Sequence, residues 1–482
     1  MSAFKKEITL FDATMLVAGT MIGSGIFVVS ADIARTVGSS GWLMLCWVLT
    51  GVITMAGALC YGELASMFPK AGGQYVYLKE SLGKPIAFLY GWTLFSVIQT
   101  GTIAAVGVIF ARYTAVIFPW FSEKHILFEV MGLAISAAQI LSIGIIVLLT
   151  FLNSQGVRNG KWIQNIFGVT KIGALVLLII LGILLAANWE TLSHNFQNAW
   201  DAKSYKVIDG KEIITNPSGL ALLFVIGSAM VGSLFSSDAW NNVTFAGDEI
   251  VNPQRNIPKA LLLGTGMVTL VYILTNMMYL SVLPIHGIPT AAASAAEHGI
   301  AYATDDRVAM GVSEMMPGGF WAIAIAILIM VSTFGCVNGC ILSGSRVYYS
   351  MAADGLFFGF LNKLNSKSVP ARALWMQAIW ASALCLSGNY GNLLDYIMFA
   401  VILFYILTII GLFVLRVKRP EINRPYKVVL YPFLPILYIL LAGTFLVCLL
   451  VAKPEYALIG LYIVLAGIPV YFLFNYFSKK TQ

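Results

Sequence analysis

The chain has 482 residues, of which 59% are hydrophobic and 11% are charged, and its mean hydropathy is +0.85. This composition excludes an ordinary soluble domain and indicates an integral membrane protein in contact with the lipid bilayer. The formal net charge of +7 does not require a nucleic-acid partner, because basic loops beside membrane segments account for it.

The apolar runs predict about twelve membrane-spanning helices, since one crossing takes about 20 residues. In chain order they lie at 8–33, 41–66, 85–113, 130–152, 162–187, 218–245, 257–284, 318–351, 370–387, 391–415, 429–452 and 455–477. The polar interruptions at 188–217 and 285–317 are too short and irregular to be separate domains. We therefore expect residues 1–482 to form a single, all-α transmembrane domain.

The positions of Lys and Arg predict the orientation of the chain, because these residues concentrate in cytoplasmic loops. Most of the 29 lie on one side of the membrane, the side that also holds the N-terminus. Both termini are therefore expected to face the cytoplasm, in an inner or plasma membrane. A cleavable signal peptide is the alternative for the first segment, but polar and glycine residues at 20 and 23–25 would interrupt its apolar region.

The first segment contains a Gly-rich interruption, Gly23-Ser24-Gly25, which predicts a helix broken at membrane depth. Every backbone group needs a partner in lipid, so such a break is tolerated where it faces protein or a water-filled cavity. Broken helices of this kind mark substrate sites in secondary transporters. The alternative is that the small residues only allow a neighbouring helix to approach closely.

The ten segments before residue 416 divide into two groups of five, at 8–187 and 218–415. Because five is an odd number, the second group crosses with the opposite orientation, which is the arrangement of an inverted repeat. The sixth segment opens the second group and has its own polar interruption at 236–242. Matching interruptions point to a binding site at the repeat interface. The last two segments, within 429–477, lie outside the repeat.

All six cysteines lie within predicted membrane segments, at positions 46, 60, 336, 340, 385 and 448. None is placed in an outer loop, so we expect no disulfide-linked partner subunit. The four histidines lie in outer loops and assemble no ligand set with Cys336 and Cys340, so neither a metal nor another cofactor is expected. The lack of a nucleophile–base pair also argues against an intramembrane enzyme.

Several motifs, in order along the chain, resemble the amino acid/polyamine/organocation superfamily, and within it the exchangers of the L-type amino acid transporter family. They lie at 19–27, 68–75, 238–241, 249–258, 332–339 and 424–426, together with Lys171 in the fifth segment. The resemblance runs through almost the whole chain. It implies a LeuT-type fold of five plus five inverted helices, with the first and sixth helices broken, and amino acids as substrates.

A zwitterionic amino acid brings two charges into a region of low dielectric, and both need hydrogen-bond partners. The half-helix that begins near Gly25 offers free N–H groups and a positive dipole end to the carboxylate, with the Ser24 hydroxyl as an extra donor. Gly23 and Gly25 let the backbone approach the ligand closely. By resemblance, the ammonium is accepted by backbone carbonyls of Met21, Phe235, Ser236 and Asp238.

Side chains of the sixth and eighth segments each have two interpretations. Asp238 is a functional candidate because a carboxylate at mid-membrane is costly, and the alternative is that it only caps N–H groups of the break. By resemblance Phe235 is the outer lid and Trp240 lies beside the pocket, whereas packing or lipid contact is the ordinary role of such aromatics. Asn338 either lines the side-chain pocket or forms an interhelical hydrogen bond. Ala239 stands where the family often has glycine, which is freer in conformation.

Lys171 lies too deep in the fifth segment to reach the interface, so its ammonium needs acceptors within the bundle. By resemblance it occupies the place of the cation in sodium-coupled relatives, near carbonyls around Gly19 and the hydroxyl of Ser332 or Thr333. A fixed positive charge there predicts an antiporter that works without sodium. If Lys171 instead releases and rebinds a proton, the protein is a proton-coupled symporter.

The predicted function is therefore exchange of L-amino acids by alternating access, with neutral substrates as the default. Asp238 extends the expected range to substrates with cationic side chains. A channel or receptor is disfavoured, because the chain has no repeated selectivity-filter sequence and no large ligand-binding domain.

Overall fold

The computed structural model describes residues 4–130, 133–208, 211–289, 294–387 and 390–480. Within these ranges, ten helices are long and apolar enough to cross a membrane on their own, and one bent pair of helices makes an eleventh span. Ala371–Leu386, a helix of 16 residues, corresponds to the twelfth predicted segment. The prediction of a helical membrane protein with about twelve segments is confirmed.

The segments are numbered 1 to 12 in chain order. Segments 1 to 5 lie at Leu10–Met21 with Gly25–Val37, Ser40–Met67, Lys84–Ile117, Ala137–Ser154 and Val157–Leu185. Segments 6 to 12 lie at Gly219–Ser236 with Asn242–Phe245, Pro253–Val282, Trp321–Ala353, Ala371–Leu386, Tyr390–Lys418, Phe433–Ala452 and Pro454–Lys480.

The loops contain two short hairpins that the all-α prediction did not include. Strand β1, Ile126–Val130, pairs antiparallel with β2, Leu133–Ser136, and β3, Ser204–Ile208, pairs antiparallel with β4, Lys211–Thr215. The predicted start of segment 4 at residue 130 is therefore too early. The helix begins after Ser136, whose side chain accepts from the Gln139 N–H in a reciprocal capping box.

Short helices fill the remaining loops. They are the α-helices Gln74–Leu82, Trp189–Gln197, Ala295–His298 and Val308–Met315, and the 3₁₀ turns Pro119–Phe121, Gly247–Glu249, Thr304–Asp306 and Gly359–Leu361. Segment 3 passes through a π-helical turn at Leu94–Ile98. Turns of this kind widen a helix locally and are frequent beside functional sites.

Segments 1 and 6 are interrupted, as the sequence predicts. The two halves of segment 1 meet at an angle of 41°. The first half begins with a capping box between Thr9 and Asp12 and ends at Ile22, whose backbone is extended. In segment 6 the helix ends at Ser236, and one short turn of helix resumes at Asn242. Both breaks leave backbone carbonyls without intrahelical partners.

Two buried carboxylates hold loops against the helix bundle. Glu63, fully buried in segment 2, accepts hydrogen bonds from the Arg416 guanidinium at 2.9 and 2.5 Å and from the Val428 N–H at 2.7 Å. Glu249, just after segment 6, accepts from the Arg346 guanidinium of segment 8 at 2.8 and 3.2 Å. Such pairs are stable only because each charge is matched where water is excluded.

The chain ahead of segment 1 pairs with the loop that follows segment 6. The backbone N–H groups of Glu7 and Ile8 donate to the Glu249 carbonyl at 3.0 and 2.9 Å. The Val251 N–H donates back to the Ile8 carbonyl at 2.9 Å, so Ile8 and Ile250 form a parallel bridge. The starting point of one broken segment is thereby fastened to the end of the other.

Candidate functional site

The break in segment 1 is held by Lys171 of segment 5. Its ammonium, fully buried, donates to the carbonyls of Gly19, Ile22 at 2.8 Å and Ser332 at 3.3 Å. The Ser332 hydroxyl donates to the Gly23 carbonyl at 3.0 Å. The structure thus brings together the predicted group of Lys171, Gly19 and Ser332, and ties segments 1, 5 and 8 at the break.

Thr333 does not belong to this group. Its hydroxyl donates to the carbonyls of Ile329 and Met330, one turn earlier in its own helix, at 2.8 and 3.1 Å. Consecutive residues of a helix point about 100° apart, so Ser332 and Thr333 cannot both face Lys171. The prediction named Ser332 or Thr333 as a hydroxyl neighbour, and the structure selects Ser332, which reaches the ammonium through its carbonyl.

The residues between the two halves of segment 1 face segment 6. Ser24, which is 3% exposed, precedes the second half-helix and makes no side-chain capping bond, so its hydroxyl is not committed to the helix. A Cβ atom added at Gly25 would lie 2.7 Å from the Ser236 Cβ and 3.2 Å from its Cα. Gly25 is therefore needed for close packing, and its N–H still belongs to the free first turn of a helix.

The proposed ammonium acceptors lie at the facing ends of segments 1 and 6. The Tyr272 hydroxyl of segment 7 lies 3.2 Å from the Met21 carbonyl and 3.0 Å from the Ser236 carbonyl. The Phe235 carbonyl accepts from the Asp238 N–H at 3.1 Å. Each carbonyl has two lone pairs, so these contacts leave acceptor capacity for a ligand.

Asp238 is hydrogen-bonded to segment 10. The Tyr405 hydroxyl donates to its carboxylate at 2.6 Å. The following residue, Ala239, has φ of +63°, a left-handed conformation in which glycine is favoured. The Thr20 hydroxyl of segment 1 donates to the Ala239 carbonyl at 3.0 Å. Alanine therefore occupies the strained position directly, and the contact with segment 1 helps to hold it there.

A narrow cavity opens beside Asp238, between segments 3, 6, 8 and 10. Its lining includes Gln99, Asp238, Asn241, Cys340 and Tyr405. The space open to the centres of water molecules is about 20 Å³. That volume holds a single water molecule. The bundle is closed around this position, and a substrate side chain fits there only after the lining has moved.

Trp240 lies on the other side of Asp238. It is 2% exposed and packs edge-to-face on Tyr61, with ring centroids 4.8 Å apart. Together with Asp238 and Tyr405 it lines a second, smaller cavity. Phe235 is half-buried at the end of its helix and packs against the hydrophobic core. Both aromatics lie next to the break, and their roles as lid and pocket wall stay predictions.

Asn338 does not line the cavity and forms interhelical hydrogen bonds. Its amide donates to the Gly160 carbonyl at 3.2 Å and to the Gln164 side chain at 3.1 Å, and it accepts from Asn153 at 2.8 Å. These contacts occupy the amide among segments 4, 5 and 8. These are the contacts of its packing interpretation, and a place for Asn338 in the substrate pocket stays a prediction.

Three polar residues near the breaks were missed from the sequence. Tyr405 and Tyr272 bond the site as described above, and Gln74 accepts from Asn241 at 2.8 Å while donating to Thr408 at 3.1 Å. Tyrosines in an aromatic-rich chain carry no distinguishing signal. Tyr272 does stand in a polar stripe at 272, 276 and 279, spacings that fall on one helical face.

Comparison with known proteins identifies the chain. The family model described as amino acid permease matches residues 8–478. The chain belongs to the amino acid permease family. The permease is accordingly a multi-pass membrane transporter of amino acids and not an enzyme, which confirms the resemblance seen in the motifs.

Curated relatives of the permease match over their common length. It is 31% identical over 480 residues to b(0,+)-type amino acid transporter 1 of Mus musculus, covering 99% of the permease and 89% of the relative. It is 32% identical over 482 residues to large neutral amino acids transporter small subunit 2 of Homo sapiens, with 100% and 82% covered. Asc-type amino acid transporter 1 of Mus musculus is 30% identical over 483 residues, with 100% and 83% covered.

Proposed function

We propose that the permease is a sodium-independent antiporter that exchanges L-amino acids by alternating access. The observation that carries this proposal is the position of Lys171. Its ammonium already donates to carbonyls of segments 1 and 8 at the break. The carbonyl oxygens that bind the Lys171 ammonium are not free to coordinate a sodium ion. The ammonium therefore supplies the positive charge that a bound coupling ion would otherwise supply.

The substrate is held at the two breaks, where backbone N–H groups bind its carboxylate and backbone carbonyls bind its ammonium. The N–H groups at Gly25 and the Ser24 hydroxyl bind the carboxylate. Carbonyls at the ends of segments 1 and 6, those of Met21, Phe235, Ser236 and Asp238, accept the ammonium. Gly23 keeps the approach open, Phe235 closes over the ligand from outside, and Trp240 borders the side-chain space.

Neutral amino acids are the main substrates in this proposal, in agreement with the name of the large neutral amino acids transporter among the relatives. That relative is also named a small subunit. For this permease we propose function without a disulfide-linked partner, because its six cysteines are all buried within membrane helices. Both termini face the cytoplasm of an inner or plasma membrane, and 8–187 and 218–415 form the two inverted repeats.

Exchange is tested with purified permease in proteoliposomes. We expect internal amino acid to accelerate uptake of external label, and neither sodium nor an inward pH gradient to drive accumulation in empty liposomes. Lys171→Ala is expected to lose exchange, because three backbone acceptors at the break lose their donor. Lys161→Ala is the control, since Lys161 lies on the same helix but bonds the Glu7 carbonyl and the Asp12 carboxylate, at the start of segment 1 and away from the break.

Strong accumulation in empty liposomes under a pH gradient, lost in Lys171→Ala, would instead establish proton-coupled symport. Saturable uptake that needs neither internal substrate nor any ion gradient would exclude both exchange and proton-coupled symport. Lys161→Ala must retain exchange for the Lys171 result to be assigned to the break.

A second experiment concerns side-chain selectivity. Asp238→Asn removes the carboxylate charge, and we expect lysine and arginine to compete about tenfold less well against a neutral amino acid, the equivalent of about 1.4 kcal/mol. Tyr405→Phe is the matched control, because it removes the hydrogen-bond donor and keeps the charge. Competition in the exchange assay measures both. An unaltered ranking of neutral and basic competitors in Asp238→Asn returns Asp238 to a structural role.

A further inference from the structure

A basic pocket lies where segment 10 ends and segment 11 begins. Its lining consists of Arg416, Pro420, Ile422, Asn423, Arg424 and Lys427. The cavity has a volume of about 470 Å³, which lies within the range of small-ligand pockets, about 300–1,000 Å³. Segment 10 ends at Lys418 and segment 11 begins at Phe433, so the basic pocket lies at the edge of the membrane-spanning bundle. None of its lining residues belongs to the proposed substrate site.

The basic pocket holds more positive charge than the carboxylate beside it can match. Glu63 already accepts two hydrogen bonds from the Arg416 guanidinium. The Arg424 Nε lies 3.6 Å from the same carboxylate and forms no hydrogen bond with any described residue. The Lys427 side chain is exposed and forms no hydrogen bond or ion pair within the part of the chain that the structure describes. One carboxylate thus serves a pocket with three cations.

Arg424 is held in place by neutral groups. Its side chain is only 10% exposed. It donates to four backbone carbonyls at 2.8 to 3.2 Å, those of Leu415, Arg419, Pro420 and Ile422. These carbonyls fix the guanidinium but bring no negative charge. The carboxylates of Glu80 and Glu421 are paired with Arg419, outside the lining. The Arg424 guanidinium is therefore a positive charge fixed in position, which a bound anion can neutralise.

Exposed apolar residues beside the basic pocket favour a lipid over a soluble anion as its ligand. Val417, Leu430 and Phe433 are 79%, 73% and 75% exposed. They lie at the ends of segments 10 and 11 or in the loop between them, so their exposed surfaces are available to the bilayer. A phospholipid with its phosphate in the pocket can place its acyl chains against these surfaces, whereas a free phosphate ion gains nothing from them.

We infer that the basic pocket binds the phosphate group of an anionic phospholipid from the adjoining leaflet. Guanidinium groups give phosphate paired hydrogen bonds, and a lysine ammonium binds it as a point charge. Basic pockets between membrane helices are recognised binding sites for such headgroups. The bound phosphate supplies the negative charge that Arg424 and Lys427 lack, and it joins segment 10 to the loop before segment 11. This site is independent of the proposed exchange of amino acids.

The test is the melting temperature of the purified permease in a neutral detergent, titrated with phosphatidylglycerol or with phosphatidylcholine. We expect phosphatidylglycerol to raise the melting temperature, and phosphatidylcholine, which carries no net charge, to leave it nearly unchanged. In Lys427→Gln the half-maximal rise is expected to need about fivefold more phosphatidylglycerol, the contribution of one lysine near an anionic membrane surface. Because the Lys427 side chain is exposed, this variant is expected to melt like the unmodified permease when no lipid is added.

Lys363→Gln is the matched control, because Lys363 is an exposed lysine in the loop between segments 8 and 9, outside the lining of the basic pocket. It removes the same charge and is expected to keep the lipid response of the unmodified permease. An equal weakening in both variants would overturn the inference, because it would show attraction by the overall charge. An equal rise with inorganic phosphate would overturn it in favour of a site for soluble anions. No rise with phosphatidylglycerol would exclude the site.

Discussion

Gly25→Ala is expected to abolish amino acid exchange, whereas Gly23→Ala, which narrows the approach of the ligand without a clash inside the protein, is expected to reduce exchange only in part. A Cβ atom at position 25 would lie 3.2 Å from the Ser236 Cα, a backbone atom that cannot rotate away. The same atom at position 23 meets only the Cys336 Sγ at 3.5 Å, an ordinary van der Waals distance. The two variants each add one methyl group, but only the one at position 25 lies in the contact between segments 1 and 6. Comparing them therefore tests that contact.

The measurement is counterflow in proteoliposomes, with the melting temperature of each purified variant as the control for folding. Normal exchange by Gly25→Ala would show that segments 1 and 6 do not pack this closely during transport.

The carboxylate site is checked separately in the unmodified protein. Amino acids are expected to compete for uptake, and the corresponding amines without a carboxylate are not. Equal competition by both would remove Ser24 and Gly25 from the substrate site.

The largest effect on stability is expected from Glu249→Gln. The carboxylate and its partner Arg346 are both 1% exposed, so the substitution leaves the guanidinium charge buried without compensation. Breaking such a pair costs about 3–5 kcal/mol. We therefore expect a marked fall in the melting temperature, together with a lower yield of folded protein. The exposed pair of Arg112 and Glu123 is the control, and Glu123→Gln is expected to cost about 0–1 kcal/mol.

A double variant separates charge from shape. Replacing Glu249 and Arg346 together by methionine removes both charges, which is often neutral for stability. We expect it to recover most of the melting temperature lost in Glu249→Gln. A double variant as unstable as the single one would show that the pair matters through its other contacts, such as the bond from Arg346 to the Ser345 hydroxyl at 3.0 Å.

The parts of the site that the sequence predicts are those where a residue conflicts with its surroundings. Glycines and a serine in an apolar run, and one lysine deep in a membrane segment, both signal a backbone that is not a simple helix. Their partners follow because a buried ammonium must find acceptors. The resemblance to the family placed Lys171 near Gly19 and near Ser332 or Thr333, and the structure brings Lys171, Gly19 and Ser332 together.

The remaining contacts depend on which face of a helix meets which neighbour, and membrane helices that are apolar on all sides hide that information. Asn338 is polar at the right depth for a pocket but points toward Asn153 and Gln164. Tyr405 and Tyr272 resemble any other aromatic of a lipid-exposed chain until their hydroxyls are located. The sequence therefore shows which residues are unusual for a membrane helix, but it does not show toward which neighbour their side chains point.

The pairing of Ile8 with Ile250 gives the two interrupted segments a common mechanical anchor. The chain leading into segment 1 and the chain leaving segment 6 are stitched by backbone hydrogen bonds. If the first half-helix of segment 1 tilts about Gly23, it must therefore move Ile250 with it or first break these backbone hydrogen bonds. A force applied to the chain ahead of Glu7 therefore acts on the start of segment 1 and on the end of segment 6 at the same time, so we expect these two ends to move together.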